Sequence, residues 1–406
     1  MLLNIKFSNF RSFKNEAVFT FEANTSKAKM QNVFEVNIGK GKTAKPIRLL
    51  KRCLIYGANA SGKTNVILAL FILKNLIIGK ASEYKKVYDP FRFDTETMNA
   101  PSSISLEFLI EKVKYLYAIK YDRNSILEED LFFYPNNKKT LIFKRETDEN
   151  SAVISYGATL KRGAAQKLPI FKDKLLLTQF FDYVNDKDIT PVAKYLGNMI
   201  VINGYHTTMQ NKLLESGIDY LKENPSDLSN LAEIIKASDT GIRNLKINEK
   251  PLSKEDRMKF YHREDENENT KLNLLDESKG TQMIFLIGAM LLKAMHNGSP
   301  IFIDEMDASL HTYITRWLLD IINSDKINTK HSQILLTSHD INLLDESRIR
   351  RDQVWFTEKN SEGVSDLFSL ADFEDVREDT PFAKWYLHNK FGAVPKIGDI
   401  ESLFDN

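Results

Sequence analysis

Cysteine is almost absent from this sequence. Cys53 stands alone among 406 residues, so neither an internal disulfide nor a cysteine-cluster metal site can form. A lone thiol on an apolar segment reads as buried packing, and the lack of disulfides suits a reducing, cytoplasmic setting. Long apolar runs are missing too. The nearest, Met283 to Met295, is broken by Lys293 and is too short for a bilayer span of about 20 residues; no membrane association is expected. The opening segment, MLLNIKFSNFRSFKNEAVFTF, alternates apolar and polar residues and reads as a strand pair, not as a signal with a basic start and an apolar block. Charge of one sign is not in excess. Fifty-six Lys and Arg against 55 Asp and Glu give a net charge of +1, so any nucleic-acid surface has to be a local patch. No internal repeat occurs, and no heptad run is long enough for an extended coiled coil.

What is present is a globular composition. With 42% hydrophobic and 27% charged residues, the chain can bury the core of one large or two ordinary domains. Residues 1 to 56 read as short strands ending in the segment Leu49 to Tyr56, whose apolar part is Cys53, Leu54 and Ile55. A glycine-rich turn follows, and from Thr64 the residues Val66, Ile67, Leu70, Ile72 and Leu73 recur at helical spacing. Between 101 and 156 the pattern becomes a β-meander: Ile104, Leu106 and Phe108, then Tyr115, Tyr117, Ile119 and Tyr121, then Leu131 to Tyr134 before the turn residues Pro135, Asn136 and Asn137. Residues 157 to 247 carry helical patterning broken by Pro191 and Pro225, and 249 to 271 form a densely charged stretch expected to be an exposed loop or hairpin. After Asn273 the α/β pattern resumes, with a helix over 281–296, a strand over 300–304, a helix over 308–324, a strand over 333–337 and a last strand near Gln353 to Thr357. Three regions are therefore expected: 1–156, 157–272 as a helical insertion with its charged loop, and 273–406.

The chemistry starts at Gly57, Ala58, Asn59, Ala60, Ser61, Gly62, Lys63 and Thr64, a GxxxxGK[ST] phosphate loop with a strand before it and a helix after it. In such a loop backbone N–H groups wrap the phosphates of ATP at a helix N-terminus, Lys63 supplies a point charge, and the Thr64 hydroxyl reaches Mg²⁺. An ordinary glycine turn is the competing reading, and the strand–turn–helix context weighs against it. Ile301, Phe302 and Ile303 lead into Asp304 and Glu305, a buried strand that delivers adjacent carboxylates. After a phosphate loop, the first suits the Mg²⁺ shell and the second the attacking water; without the loop, two acids at a strand end mark only a surface. His339 follows the apolar strand Ile334 to Ser338 and is expected at a strand's C-terminal edge beside the phosphates, where a structural histidine is the alternative.

The order of these segments, with Leu275-Asp276-Glu277-Ser278-Lys279-Gly280-Thr281-Gln282 ahead of the acidic strand and Met306-Asp307-Ala308-Ser309-Leu310-His311 behind it, resembles the head domains of SMC, RecF and OLD-family ATPases. They match Walker A, signature, Walker B, D-loop and switch histidine. The whole chain is similar to prokaryotic AAA-type ATPases of the RloA/AbiLi group found in phage-defence loci. Supporting segments are Asn9-Phe10-Arg11-Ser12-Phe13, Pro90-Phe91-Arg92-Phe93, Arg351-Asp352-Gln353-Val354 and Lys390-Phe391-Gly392-Ala393-Val394-Pro395. The resemblance implies an α/β P-loop NTPase of ABC-type head fold with an N-terminal β-meander lobe and a helical insertion. It implies a dimer, or a higher even oligomer, with ATP between the heads, and Ser278 and Gly280 of one subunit on the γ-phosphate held by the other. Arg11 is implied near the phosphates, with a surface ion pair as the alternative. Lys279 stands where transporter signatures carry glycine, and no Q-loop glutamine is evident.

Three functions follow as expectations. The first is an ATP-hydrolysing switch of an anti-phage, abortive-infection type of system. It controls an effector such as a nuclease supplied in trans, because no Toprim-like acidic set or HNH-like histidine cluster follows the last strand. The second is a RecF- or SMC-like DNA-binding ATPase of genome maintenance, with Lys161, Arg162 and Lys167, or Arg348, Arg350 and Arg351, on phosphates; for each group a solvated surface is the alternative. The third, a transporter ATPase subunit, is opposed by the β-meander, the long insertion and Lys279.

Overall fold

The computed structural model describes residues 1–39, 44–79, 87–148, 151–160, 170–183, 186–203, 207–253, 255–263 and 271–398. Two compact units emerge, Leu2–Gly197 with Leu344–Asn406, and Asn198–Leu343 with Met1. The expected partition at 156 and 272 differs from this one.

The first unit begins with β1 (Leu2–Ser8) and β2 (Ala17–Thr20). A separate antiparallel pair follows, β3 (Val33–Ile38) and β4 (Lys45–Leu50). Next come β5 (Arg52–Gly57) and α1 (Lys63–Ile77). The segment expected as one strand from Leu49 to Tyr56 is thus two, interrupted at Lys51. All six residues of β5 are buried, as a strand covered on both faces requires. Cys53 lies within it, and burial pushes its thiol pKa well up, which keeps it inert.

The meander is as patterned in the sequence: β6 (Ser102–Ile110), β7 (Val113–Tyr121), β8 (Ile126–Tyr134), β9 (Thr140–Thr147) and β10 (Ala152–Tyr156). Their order, β10-β9-β8-β7-β6-β1-β2, closes the sheet onto the N-terminal strand pair. Alternation puts Ile104, Leu106, Phe108, Tyr117, Ile119 and Leu131 in the core. Two helices complete this stretch, α2 (Leu176–Tyr183) and α3 (Thr190–Gly197). Pro191 does not break a helix; it sits in the first turn of α3, where a missing N–H costs nothing.

The second unit holds β11 (Ile200–Asn203), α4 (Thr207–Glu223), α5 (Pro225–Ala237), β12 (Asn244–Ile247), β13 (Met258–Tyr261), β14 (Lys271–Asn273), α6 (Lys279–Asn297), β15 (Ile301–Asp304), α7 (Thr312–Asn323) and β16 (Ile334–Thr337). Here the structure corrects the purely helical reading of 157–247. Ile200-Val201-Ile202-Asn203 is a strand, parallel to β15, which in turn runs parallel to β16. Three apolar residues and an asparagine have no period that separates strand from helix, and their neighbours in the sheet decide. Of the charged stretch, 254 and 264–270 lie outside the described residues. Its Met258-Lys259-Phe260-Tyr261 portion is buried as the middle strand of the sheet β12-β13-β14, so the hairpin reading holds there and the exposed-loop reading does not. Helix α6 is buried nearly all round through Ile284 to Leu292, which explains its long apolar run without a membrane. Among the described residues no helix is long and apolar enough to cross a bilayer.

From Leu344 the chain returns to the first unit with β17 (Val354–Lys359), parallel to β5, β18 (Ser365–Ser369), antiparallel to β17, and α8 (Phe382–Leu387). Of the basic candidates, Arg350 is fully buried, paired with Asp352 at 2.7 Å and donating to the carbonyls of Ser26 and Ala28. It is a structural tie between chain ends and is withdrawn from any phosphate surface. Arg351 donates to the Val376 carbonyl. Lys161, Arg162 and Lys167 lie outside the described residues.

One buried charge anchors the helical part of this unit to the meander. Glu129 on β8 accepts from the N–H groups of Leu176 and Leu177 at the start of α2 and from the Tyr117 hydroxyl at 2.9 Å. Opposite it on β9, Arg145 donates to the carbonyls of Phe171, Lys172 and Lys174. Both side chains are fully buried, and desolvation raises the Glu129 pKa although the surrounding donors oppose it. Glu129→Ala should therefore cost about 3–5 kcal/mol in urea-unfolding stability, because two helix N–H groups and the Tyr117 hydroxyl lose their acceptor and the buried Arg145 loses the opposite charge near it. A loss below about 1 kcal/mol would contradict this account.

Candidate nucleotide-binding site

The phosphate loop lies wholly in the first unit. Strand β5 ends at Gly57, and a Cβ there would come within 2.5 Å of the Thr357 carbonyl oxygen and of Ser61 Oγ. Gly62, at φ 119°, is closed twice over: its backbone is one that side chains rarely adopt, and a Cβ would meet Ser365 Oγ at 2.8 Å and the Phe13 ring at 3.2 Å. Ala60 adopts φ 60° without being glycine, a strained conformation of the kind that collects at ligand sites. The turn opens α1, whose apolar face through Val66, Ile67, Leu70 and Leu73 is buried, so the helix N-terminus is fixed in place. Lys63 Nζ donates to the carbonyls of Gly57 at 2.8 Å and Ala58 at 3.0 Å. A ligand that takes this cradle must be small, anionic and free to accept from backbone N–H groups, as a phosphate chain is.

Arg11 belongs to a tight turn in which Phe10 and Phe13 exchange both backbone hydrogen bonds. Its guanidinium pairs with Asp89 at 3.1 Å and is 40% exposed, while Arg92 reaches the same carboxylate at 2.8 Å. The ion-pair alternative for Arg11 is thus the contact the structure shows.

The second unit brings the acidic residues and the histidine together. Asp304 ends β15 buried, and its Oδ1 accepts from Thr337 Oγ1 at 2.7 Å. The same Thr337 oxygen accepts from the Glu305 N–H at 2.8 Å. One hydroxyl on β16 therefore fixes both acids, and Glu305 turns off the strand at φ 53°. His339 Nε2 stands 3.8 Å from Glu305 Oε1, and the His339 N–H donates to Asp307 at 3.1 Å. Thr337 and Asp307 were not singled out as site residues in the sequence. The signal for Thr337 is the register Ile303↔Leu336, which sets Asp304 beside Thr337 and is invisible until the strands are paired; Asp307 belongs to the segment that matches a D-loop.

Ser278 caps α6 by accepting from the Thr281 N–H at 3.1 Å. Behind it Gln282 Nε2 donates to the carbonyls of Glu277 at 2.8 Å and Leu275 at 3.2 Å, Lys279 donates to the Gln282 side-chain oxygen, and His262 bonds Glu277 at 2.8 Å. A Cβ on Gly280 would lie 3.4 Å from the Ser309 carbonyl, ordinary contact distance, so the first turn of α6 runs beside the segment that follows Glu305.

Residues 54–345, well over half of the chain, match the family model described as "AAA domain, putative AbiEii toxin, Type IV TA system". The chain belongs to this AAA-domain family. Solved structures with similar folds are an SMC head bound to the C-terminal winged-helix domain of ScpA (15% identity, 91% of this chain and 97% of that one, TM-score 0.48), the SMC head domain from Thermotoga maritima (14%, 91% and 98%, 0.42) and the Pyrococcus furiosus Smc head with an extended coiled coil bound to the C-terminal domain of ScpA (13%, 91% and 96%, 0.43). All three scores lie below 0.5, too low to bear on what this AAA domain does. No curated protein matches the sequence.

The glycine cradle makes a direct prediction. Gly57→Ala should lower ATP affinity at least about ten-fold and stability by about 1–3 kcal/mol, since a methyl group is forced onto a backbone carbonyl. Calorimetric titration and urea unfolding measure both, and wild-type values for the two would show that the approach at Gly57 is not as close as described.

Proposed function

We propose that this AAA domain binds and hydrolyses Mg²⁺–ATP and works as the nucleotide-driven switch of a prokaryotic anti-phage defence system, controlling an effector of the nuclease class supplied in trans. The observation that carries the ATP part is the phosphate loop, whose Gly57 and Gly62 leave no room for a Cβ. The defence part is supported by the family description, which names an abortive-infection toxin of a toxin–antitoxin system.

In this reading Gly57 to Thr64 receive the phosphates and Lys63 supplies the charge, while Arg11, paired with Asp89, would have to leave that pair to lend a second cation. Thr64 and Asp304 would hold Mg²⁺; both are hard oxygen donors, which suits a metal that keeps much of its water and binds through few protein ligands. The chemistry it would supply is neutralisation of phosphate charge. Glu305 accepts the proton of the attacking water on its carboxylate, with Thr337 holding the Glu305 N–H so that the carboxylate is aimed before substrate arrives. His339 stabilises the γ-phosphate. Ser278 and Gly280 of a second copy complete the site at the N-terminus of α6, so that nucleotide joins two heads. The genome-maintenance alternative gains no support from Arg350, which is buried and internally paired.

Glu305→Gln should retain ATP binding and hydrolyse at least about 100-fold more slowly, the scale on which a general base acts. A wild-type rate would remove Glu305 from that role. A nuclease or other toxin should co-purify in stoichiometric amount with the tagged variant held in ATP. The trans-acting effector fails if the purified chain alone degrades DNA or RNA and Lys63→Ala leaves that degradation unchanged.

A further inference from the structure

The phosphate loop is held from behind by two hydroxyl groups that come from the opposite end of the chain, beyond residue 345 where the family match stops. Strand β17 runs parallel to β5 with Thr357 beside Gly57, and Thr357 Oγ1 shares a hydrogen bond of 2.6 Å with Ser61 Oγ. From β18, Ser365 Oγ donates to the Ser61 carbonyl at 2.6 Å and lies 2.8 Å from Ser12 Oγ. Ser12 Oγ in turn accepts from Asn65 Nδ2 at 2.7 Å, and the Ser12 carbonyl accepts from the Ser365 N–H at 2.7 Å.

Ser365 is the centre of this chain. A hydroxyl has one proton, and a carbonyl can only accept. Ser365 Oγ is placed to donate to both Ser61 O and Ser12 Oγ and shares its one proton between them, while the Asn65 amide donates to Ser12 Oγ. The contacts run from Asn65, the third residue of α1, through the N-terminal turn and the C-terminal hairpin, into the middle of the phosphate loop. Ser61, Thr357 and Ser365 are all at most 3% exposed, so water does not replace a missing partner and each lost bond leaves a buried polar atom.

From this geometry we infer that Thr357 and Ser365 are positioning residues for nucleotide binding: they fix the Ser61 peptide and side chain, and so the direction of the loop's N–H groups, from outside the matched ATPase segment. The inference rests on the ATP-binding reading above. Its physical basis is pre-organisation, since a loop already held in its binding conformation loses less freedom when the phosphates arrive. Such a device acts on ground state and transition state alike, which sets its signature: affinity falls and turnover at saturation does not.

The test uses the full chain. Thr357→Val and Ser365→Ala are compared with wild type, Lys63→Ala and the hydroxyl-retaining Thr357→Ser, by calorimetric titration with Mg²⁺–ATP and Mg²⁺–ADP and by steady-state ATP hydrolysis. Both hydroxyl-deleting variants should weaken ATP and ADP about ten-fold and raise KM to match, with kcat within about two-fold. Thr357→Ser should restore wild-type affinity. Thermal unfolding, run alongside, identifies any variant that does not fold, in which case the remaining deletion and the Thr357→Ser comparison decide. If wild type binds ATP and both deletions bind it equally well, the inference is overturned while the ATP-binding reading stands. A kcat loss with unchanged KM would also overturn it. If wild type itself binds no ATP, both fall together.

Discussion

A backbone that has to wrap an anion cannot be padded with side chains, and the approach at Gly57 is where this chain meets that constraint. The loop turns so close to β17 that no Cβ fits between Gly57 and the Thr357 carbonyl. Everything around the cradle follows from keeping that approach in register. The fully buried β5 holds one side, α1 buries its apolar face to fix the helix start, and β17 and β18 close the back. Because those last strands come after residue 350, the phosphate loop is completed only when the two ends of the first unit have come together. The buried Arg350, which binds carbonyls of Ser26 and Ala28, ties the same two ends.

The acidic residues of the second unit obey the same logic on a smaller scale. Two parallel strands in register set a single threonine hydroxyl between two adjacent carboxyl-bearing residues, accepting from the N–H of Glu305 and donating to Asp304. The backbone of Glu305 is pinned, its φ is positive, and His339 stands within 3.8 Å of its carboxylate, so the place of that acid is set by the fold.

Much of this was legible in the sequence, and the parts that were not share one cause. GxxxxGK[ST] carries its own geometry, since the spacing and the flanking strand and helix already state the chemistry. The meander was legible because period-two alternation survives over nine-residue strands. Ile200-Val201-Ile202-Asn203 was misread because three apolar residues and an asparagine have no measurable period, and only pairing with β15 makes them a strand. Thr337, Thr357 and Ser365 were missed for a related reason. Threonine and serine carry no signature of their own, and their meaning comes from strand register, which joins residues about 300 apart in the case of Ser61 and Thr357. Arg350 erred the other way: a basic cluster looks like surface until an aspartate and two carbonyls are found around it.

The claim that organises the account is that nucleotide switches this AAA domain between separate and joined heads. Sedimentation velocity of Glu305→Gln, with and without Mg²⁺–ATP, tests it most directly. A species of single-chain mass is expected without nucleotide and one of twice that mass with ATP, reverting when ATP is replaced by ADP. A mass that is the same in all three conditions would contradict it.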